Sequence, residues 1–588
     1  MRDWLDFLGQ FARLAGPYWR SERKWLVIGW TAALVVLTAG QVALAVALNA
    51  WSERLFDALE QRALHTFMVL IGVFALIVAA EATVVTIHLR IKRRLTLDWR
   101  RWLTRRLVDE WMSAGRHHQV ALIPGEHDNP DGRIAEDIRI VTESAVELAH
   151  SLLYCLLLLV TFAQILWTLS GDPDLQVGGA TLYVPGYLVW LAILYAGVGT
   201  AVTLLVGRPL VRAANLRQTA EANFRFGLAS ARENSQAIAL LQGEATERSR
   251  LAELFVGVMR GWDRQTVSLS HLFMFTSSWS VVSTVFPVLV VAPRYIAGTI
   301  SLGVLMQTAQ AFQQMVAALS WPIDNFARAA EWRASVERVQ GLHRGLARLD
   351  AHVAAAAPAG IVVERSDKPV LALTDLTVAT PTGETVINSF TMAIGTGEHV
   401  LIDGDPAATA DLFKAVAGLW PWGSGRVSLP AGAAIFFMPQ RPYLPTGTLR
   451  QAICYPAAAS AFDDAALRAT LAEVGLDYLA AHLDDTDRWD QALAAGEQQR
   501  LGFARLLLHR PSWIFMQEAT DGLDPEGEAA MMRLLRDALP AATVISIAHH
   551  PTLEPFHERR VTLFRINGFS VADGQLDGGA PPPTQRRD

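Results

Sequence analysis

The chain has 588 residues, of which 51% are hydrophobic, and its mean hydropathy is +0.24. This composition is too apolar for an ordinary soluble protein, so a membrane protein is the first expectation. The net charge of -6 is not pooled on one basic or acidic domain and gives no indication of a nucleic-acid partner. With only Cys155 and Cys454 no disulfide framework or thiolate metal site can be built, and we expect both to be buried small apolar residues.

The first half of the chain predicts a membrane domain. Residues 1–24 indicate an interfacial helix, because they carry acidic and aromatic residues where a signal peptide would need a basic start and a short apolar core. A membrane-spanning helix needs roughly 20 apolar residues to cross about 30 Å of hydrocarbon. Six runs meet this requirement and predict a six-helix transmembrane domain over 25–345: 25–50, 67–89, 146–169, 184–206, 269–291 and 303–322.

The basic residues predict the orientation of these spans. Residues 90–106 hold eight Lys or Arg and one acidic residue, whereas the connection between the third and fourth spans has no basic residue. By the positive-inside rule the first of these segments is cytoplasmic, so we expect both termini on the cytoplasmic side of a bacterial inner membrane. The two inner connections, near 90–145 and 207–268, are long and polar, which suits docking onto a cytosolic domain.

Glutamines on the sixth span are candidate cavity residues. Gln307, Gln310 and Gln314 recur at i, i+3 and i+7, which places their amides along one stripe of a helix. We prefer the interpretation that the stripe faces a wet cavity. The alternative is that the amides hydrogen-bond to neighbouring helices and hold the bundle together.

Four ionisable residues are candidates for proton coupling, because ionisable groups at membrane depth are costly and often functional. Glu81 lies inside the second span, and Glu143, Glu147 and His150 share one stripe where the third span begins. Protonation of such groups could bias the inward-facing or the outward-facing state. The alternative is that Glu143 and Glu147 are solvated on a cytoplasmic extension or ion-paired with nearby arginines.

Two inner loops carry recognisable residues. The loop HDNPDGRIAEDI, from 127 to 138, and the loop EANFRFGLASARENSQAIALLQGEATE, from 221 to 247, resemble those of the bacterial SbmA/BacA-like transporters and their relatives, the fatty-acyl ABC exporters of peroxisomes. The resemblance implies an exporter-type half-transporter that forms a homodimer and moves peptides, antibiotics or similar polar compounds. The residues that fit are Asn129, Pro130, Asp131, Arg133, Glu136 and Asp137 in the first loop and Arg232, Glu233, Asn234, Ile238, Ala239, Gly243 and Glu244 in the second, whereas Gly132 and Gln236 depart from the pattern.

The second half predicts a cytosolic α/β domain of the ABC nucleotide-binding type. An Ala-rich connector over 346–368 has no periodic core pattern, and short apolar runs then alternate with helical stretches over 369–572. The polar, Pro- and Gly-rich end over 573–588 is predicted to be a disordered tail.

The segment GDPAATADLFK stands where this domain should bind phosphate. A loop GxxxxGK[ST] surrounds phosphate with backbone N–H groups, neutralises it with the lysine and binds magnesium through the hydroxyl. Counted from Gly404, its last three positions fall on Thr409, Ala410 and Asp411, and counted back from the following AGLWPWGSG the lysine position falls on Thr409. The lysine is absent in either register. We expect Asp411 to place a carboxylate at the helix N-terminus that would otherwise attract the phosphate.

Other parts of the nucleotide site depart in the same direction. Gln517 replaces the aspartate that would hold magnesium, ahead of Glu518, which matches the residue that orients the attacking water. LAAGEQQR resembles the ABC signature LSGGEQQR, with Ala494 and Ala495 in place of the serine and the first glycine, and with Gly496 retained. Three more remnants match the Q-loop, the D-loop and the switch histidine: Gln440, Asp524 and His549.

These departures predict that the chain no longer hydrolyses ATP and binds Mg-ATP weakly or not at all, and no metal site is expected. Three classes of function stay open. The first is a transporter driven by an ion gradient, most simply of protons; the second is an ATP-driven transporter of reduced competence; the third is a non-transporting membrane scaffold or regulator. The expected partners are the lipid bilayer, a second copy of the chain and a peptide or small polar substrate, and not nucleic acid.

Overall fold

The structure, a computed structural model, describes residues 2–123, 125, 129–171, 174–177, 180–356, 360–566 and 569–572. The chain divides into two compact units. The first comprises Met1–Leu107 and Asn129–Gln340, and the second comprises Val108–Asp128 and Gly341–Asp588. The predicted tail over 573–588 lies outside the described residues.

The described residues up to 356 form helices and one short β-hairpin. Long apolar helices suit a membrane because each one satisfies its backbone hydrogen bonds within itself. The hairpin pairs β1 (Asp174–Val177) with β2 (Ala180–Tyr183). The helices are α1 (Arg2–Trp19), α2 (Lys24–Glu60), α3 (Leu64–Met112), α4 (Arg116–Gln119), α5 (Pro130–Gly132), α6 (Ile138–Leu169), α7 (Tyr187–Glu233), α8 (Ser235–Leu240), α9 (Glu244–Ile296), α10 (Leu302–Asp324) and α11 (Phe326–Ala356).

Five of the six predicted spans are confirmed as long apolar helices. Within the described residues, the helical stretches that contain α2, α3, α6, α7 and α9 are long and apolar enough to cross a membrane. The sixth predicted span forms helix α10, which does not reach the same apolarity because glutamines interrupt it. A six-span membrane domain is therefore not confirmed.

Helix α10 lies at the centre of the packing in the first unit. It contacts α2, α6, α7 and α9, and Phe312 on it is fully buried together with Phe162 of α6. The thiol of Cys155 donates to the carbonyl of Ala318 on α10 at 3.1 Å. Both cysteines are free and buried, as the sequence predicts.

The first loop pattern fixes α6 to α11 within the first unit. Arg133 and Asp137 are buried, and the carboxylate of Asp137 accepts two hydrogen bonds from the guanidinium of Arg338, at 2.6 and 2.8 Å. Arg133 donates to the backbone carbonyl of Arg338 at 2.8 Å. A paired, bidentate arrangement of this kind satisfies the buried carboxylate, so these two motif residues have a structural role.

The second unit is built on a ten-stranded sheet flanked by helices. Its strand order is β3-β7-β4-β5-β14-β13-β6-β12-β11-β8, and β9 and β10 form a separate pair. The elements are β3 (Ile361–Ser366), β4 (Val370–Ala379), β5 (Thr385–Gly395), β6 (His399–Gly404), α12 (Pro406–Val416), β7 (Gly423–Pro430), β8 (Ile435–Met438), β9 (Gly447–Thr448), α13 (Leu449–Cys454), α14 (Asp464–Glu473), β10 (Thr486–Asp487), α15 (Trp489–Ala492), α16 (Ala495–His509), β11 (Trp513–Gln517), α17 (Pro525–Ala538), β12 (Thr543–Ile547), β13 (Arg559–Ile566) and β14 (Phe569–Ala572).

Four neighbouring strands of this sheet, β6, β12, β11 and β8, run parallel. Buried side chains from these strands pack against α12 in one hydrophobic cluster and against α16 in another. Parallel strands end at the same edge of a sheet. The residues that follow β6, β11 and β12 are therefore brought together there.

Much of the stretch 346–368, predicted as a connector, has regular structure. Helix α11 continues through its alanines to Ala356, and β3 pairs with β7 in parallel. Leu342, Leu346 and Leu349 recur at i, i+4 and i+7 and are buried, so the expectation that this stretch lacks a core pattern is wrong at its start. The alanines that follow have the highest intrinsic helix propensity and extend the helix. Residues 357–359 lie outside the described part of the chain.

The segment Val108–Asp128 belongs to the second unit, and its described residues pack within that unit. Gln119 of α4 donates to the backbone carbonyl of Leu419 at 3.3 Å, and the side chain of Leu122 packs against the sheet core. Arg116 forms an ion pair with Asp350 at 3.0 Å. These contacts hold the segment against the α/β fold of its own unit.

We expect the melting temperature of the chain to fall as the pH falls below about 6.5, the usual pKa of histidine. Burial lowers the pKa of His557, helped by nearby His399 and opposed by its bond to the Leu553 carbonyl. As the pH falls, His557 is therefore protonated in the unfolded chain before it is protonated in the folded chain. The stability that neutral His557 contributes at pH values above the pKa of the unfolded state is lost as the pH falls below that pKa.

The measurement is the melting temperature of the full chain in detergent between pH 7.5 and 5.5, for wild type and His557→Gln. The substitution should flatten the pH dependence. His482→Gln is the matched control, because the His482 side chain is half exposed. An unchanged pH profile in His557→Gln would contradict the assignment.

Candidate nucleotide site and ionisable groups of the membrane unit

No loop separates the strand and the helix that should hold phosphate. Strand β6 ends at Gly404, and α12 begins at Pro406 after the single residue Asp405. The backbone N–H of Asp405 donates to the carbonyl of Leu563 at 3.2 Å, so it does not point into an open site. Phosphate binding needs several consecutive backbone N–H groups arranged around the anion, and this connection is too short to provide them.

The anion at the start of α12 is Asp405, and the prediction that Asp411 occupies this place is wrong. Asp405 is the N-cap, and its carboxylate accepts from the N–H of Ala407 at 3.4 Å. The helix begins early because Pro406 fits the first helical position, where its missing N–H costs nothing. Asp411 is consequently in the second turn, where it pairs with Lys414 at 3.0 Å.

The residues at the lysine positions face the helix packing. Thr409 is 2% exposed, and its hydroxyl donates to the carbonyl of Pro406 at 3.1 Å. Ala410 is half-buried on the next position of the helix. Lys414 is no substitute for the loop lysine, because its ammonium is held by Asp411 and lies 4.9 Å from the centre of the Trp420 ring.

The signature segment begins helix α16 without a side-chain cap. Ala494 is the N-cap residue, and its N–H donates to the carboxylate of Glu497 at 2.8 Å. Ala495 lines a hollow of about 630 Å³ together with Gln440 and Asp521. A side chain at Gly496 would meet the Gly522 carbonyl at 2.7 Å, so this glycine is required for packing whether or not nucleotide binds.

Glu518, the remnant of the water-orienting position, follows β11 directly. Gln517 ends the strand, and Glu518 adopts a left-handed backbone with φ 45° while its N–H donates to the carbonyl of Ile547 at 2.8 Å. Burial raises the pKa of the Glu518 carboxyl, and His549 and His550 oppose this shift. His549 Nε2 lies 3.5 Å from the Glu518 carboxylate.

Two of the remnants have local structural roles. The side chain of Asp524 is the N-cap of α17 and accepts from the N–H of Gly527 at 3.2 Å. The amide of Gln440 donates to the carboxylate of Asp521 at 3.0 Å.

Three residues that the sequence patterns did not single out lie at the same edge: Asp521, Glu528 and His550. His550 lies between the two carboxylates, 3.4 Å from Asp521 and 3.2 Å from Glu528. Their proximity follows from the parallel pairing of Gln517 on β11 with Ile547 on β12. The doubled histidine after β12 was the available sequence signal.

The glutamines of α10 have different surroundings. Gln310 lines a hollow of about 440 Å³ with Gln313, Trp51 and other residues, whereas Gln307 is buried at 9% exposure. The amide of Asn49 on α2 donates to the Gln307 carbonyl at 3.0 Å and to the Gln310 side chain at 3.4 Å. Gln314 is half-buried and does not line this hollow.

The acidic candidates of the membrane unit are partly paired. Glu143 forms an ion pair with Arg139 on its own helix at 3.3 Å. Glu147 lies 3.7 Å from both Lys92 and Arg328. Glu81 is exposed on the surface of the single chain.

The remaining candidate, His150, lies against a second histidine, with the two rings tilted by 42°. The ring centres of His88 on α3 and His150 on α6 are 4.1 Å apart, and His88 is 4% exposed. The Nε2 atoms of both rings are buried with no hydrogen-bond partner among the described residues. No sequence pattern predicts the role of His88, because its proximity to His150 depends on how α3 packs against α6.

The two units together define an exporter-type membrane protein with a C-terminal α/β domain of the nucleotide-binding kind. The family "ABC transporter transmembrane region 2" matches residues 14–296. The inner membrane ABC transporter ATP-binding protein YddA of Escherichia coli is 31% identical, over 92% of this chain and 95% of that protein. The chain therefore belongs to the ABC transporters with a transmembrane region of type 2, and it is a membrane transporter of this class.

Other relatives agree with this placement. ABC transporter D family member 2, chloroplastic, of Arabidopsis thaliana is 26% identical over 94% of this chain and 85% of its own length. ATP-binding cassette sub-family D member 3 of Rattus norvegicus is 24% identical over 79% of this chain and 74% of its own. The solved structure of a bacterial Atm1-family ABC exporter with ATP bound has a TM-score of 0.61 at 16% identity, over 92% of this chain and 94% of that one, and supports the fold.

Proposed function

We propose that this chain is a bacterial inner-membrane transporter that uses a proton gradient in place of ATP hydrolysis. The observation that carries the proposal is the direct passage from β6 to α12 through Asp405, which leaves no loop for phosphate. The alanines at 494 and 495 and the glutamine at 517 remove further contacts on the other parts of the site. An ABC site pairs the phosphate loop of one subunit with the signature of the other, so a homodimer has no intact site.

The coupling groups that we propose lie where α3 and α6 meet. Glu147 precedes His150 by nearly one helical turn and lies 3.7 Å from Lys92, while the ring of His150 lies against that of His88. Buried ring nitrogens without a partner can take up a proton only at an electrostatic cost. Protonation of His150 would place a new positive charge near Lys92. It would also change the relative strength of the two ion pairs that Glu147 forms, with Lys92 and with Arg328. Movement of α3 against α6 is the expected consequence.

A homodimer is the assembly that we propose, since the chain encodes one half-transporter. Helix α8, at the tip of the second inner loop, exposes Leu240 and continues into Leu241, which are 77% and 82% exposed in the single chain. Exposed apolar tips of this kind indicate an interface. Glu81 would then face the second copy or the shared cavity. A stable monomer by native mass measurement would contradict this assembly.

The substrate class that we propose is peptides, antibiotics or similar polar compounds. It is supported by the resemblance of the two inner loops to those of SbmA/BacA-like transporters. The hollow beside Gln310 and Gln313 supplies amide groups that suit a polar substrate.

The test is substrate movement in proteoliposomes with ATP and a pH gradient varied independently. We expect movement that follows the pH gradient and does not depend on ATP. Glu147→Gln and Glu81→Gln should each lose most of the pH-driven rate. Glu143→Gln is the matched control, because Glu143 is paired with Arg139 of its own helix.

Each alternative predicts a different result. Movement that requires ATP without a pH gradient would identify a transporter of reduced ATPase competence. No movement under any driving force would identify a scaffold or regulator. Normal rates in both variants, confirmed as folded and inserted, would show that these carboxylates do not couple protons.

A further inference from the structure

Three potential metal ligands meet at the edge of the sheet where β11 and β12 end. One carboxylate oxygen each of Glu518 and Asp521 and one ring nitrogen of His550 all lie within 4.8 Å of one another. His550 Nε2 is 3.4 Å from Asp521 Oδ1. Two ligand atoms bound tetrahedrally to zinc at about 2.0–2.2 Å are about 3.3–3.6 Å apart, so this pair already has the spacing that a zinc ion requires.

A buried carboxylate orients the ring of His550. His550 Nδ1 lies 3.2 Å from the carboxylate of Glu528, which is only 2% exposed. The carboxylate also accepts from the hydroxyl of Thr520 at 2.7 Å and from that of Thr552. Glu528 therefore favours the tautomer with the proton on Nδ1, assigned from this network. The lone pair on Nε2 then points toward Asp521, as in the carboxylate–histidine–metal arrangement of known sites.

The two carboxylate ligands are also oriented by neighbours. The amide of Gln440 donates to Asp521 Oδ2 at 3.0 Å, which leaves Oδ1 directed at His550. His549 Nε2 lies 3.5 Å from Glu518 Oε1. His550 and Asp521 thus each have a hydrogen-bond partner outside the metal position, and outer partners of this kind fix ligands in metalloproteins.

The charges at this edge favour a cation. An oxygen of Asp521, an oxygen of Glu518 and a ring nitrogen of His550 all lie within 4.8 Å of one another, so a cation between them would meet two carboxylates and an imidazole. An imidazole with two carboxylates suits zinc and similar transition metals better than magnesium or calcium, which prefer oxygen ligands. Three protein ligands leave one tetrahedral position for water.

We propose that Glu518, Asp521 and His550 bind a divalent transition-metal ion, with Zn²⁺ as the probe, without any nucleotide. This differs from magnesium bound through ATP, because none of the ligands depends on a phosphate or on Gln517. The ion would connect the segment after β11 to the segment after β12. A site that once oriented water for hydrolysis would then serve to clamp these two segments together.

The test is a calorimetric titration of Zn²⁺ into the metal-stripped full chain in detergent, with no nucleotide present. We expect saturable binding to one site per chain and a higher melting temperature with Zn²⁺, since a ligand that binds only the folded state stabilises it. His550→Gln and Asp521→Asn should each weaken binding at least about tenfold. Both side chains are more than a third exposed, so these variants should fold.

The matched control is His482→Gln. His482 and Asp485 form an exposed histidine–carboxylate pair at 2.7 Å elsewhere in the second unit, and its loss should leave Zn²⁺ affinity unchanged. The absence of saturable binding in wild type would overturn the proposal. Equal affinity in wild type, His550→Gln and Asp521→Asn would also overturn it. The measurement needs no transport, so its outcome is independent of the driving force.

Discussion

Millimolar Mg-ATP is expected to leave the melting temperature of the full chain unchanged. The missing loop lysine, the carboxylate of Asp405 at the helix start and Gln517 in place of a magnesium ligand all oppose a polyphosphate. If each charged interaction is worth about 1.5–3 kcal/mol, three losses together exceed about 4 kcal/mol, or about a thousandfold in affinity. A ligand whose concentration is 100 times its dissociation constant stabilises the folded protein by about 2.7 kcal/mol. A ligand whose concentration is far below its dissociation constant adds almost nothing.

The matched variant for this prediction is Asp405→Asn. Asparagine keeps an acceptor at the N-cap while it removes the negative charge, so helix α12 should remain intact. We expect no nucleotide binding in this variant either, because the connection after β6 still lacks a loop. A micromolar dissociation constant for Mg-ATP in wild type would contradict the whole account of the site. Binding in Asp405→Asn alone would show that its charge is the only obstacle.

The sequence identified the kind of defect in the phosphate site, and the structure located it. The spacing of the motif shows that the lysine is missing in either register. It placed the carboxylate on Asp411, because the register was carried over from a longer loop. In the structure Pro406 starts the helix directly after Asp405. A proline in the first helical position was a readable signal for that start.

Contacts between residues far apart in the chain could not be predicted in the same way. The proximity of Asp521 and His550 requires that β11 and β12 be neighbours, which depends on the strand order of the sheet. The contact between the rings of His88 and His150 requires a particular rotation of α3 against α6. The period of a sequence identifies which residues share one face of a helix, but it does not identify the helix that packs against that face.

Helix α10 shows the same limit for single residues. The spacing of its glutamines correctly indicates a helix. The glutamines on that one face of the helix nevertheless lie in different environments. Gln307 is buried beside α2, and Gln310 borders a hollow that it shares with Gln313. The two sequence-based interpretations, cavity and helix contact, therefore describe different members of the stripe.

Restoring the motif lysine by Thr409→Lys is expected to destabilise the chain and to leave Mg-ATP binding absent. Thr409 is 2% exposed, and α12 packs its neighbours Ala408 and Leu412 into the sheet core. A lysine there would bury an ammonium without a paired carboxylate, which costs about 3–5 kcal/mol. The melting temperature of the full chain should fall clearly.

The matched control for Thr409→Lys is Ala407→Lys, in the exposed first turn of the same helix. A positive charge there opposes the helix dipole slightly, and an exposed substitution of this kind changes stability by about 0.5 kcal/mol or less. Calorimetry with Mg-ATP should show no binding in either variant. If Thr409→Lys kept the wild-type melting temperature and bound Mg-ATP, its side chain would have to reach a phosphate from a rebuilt loop, and the direct passage from β6 to α12 would be wrong. Loss of stability in Thr409→Lys alone would show that the ancestral lysine position has become part of the core.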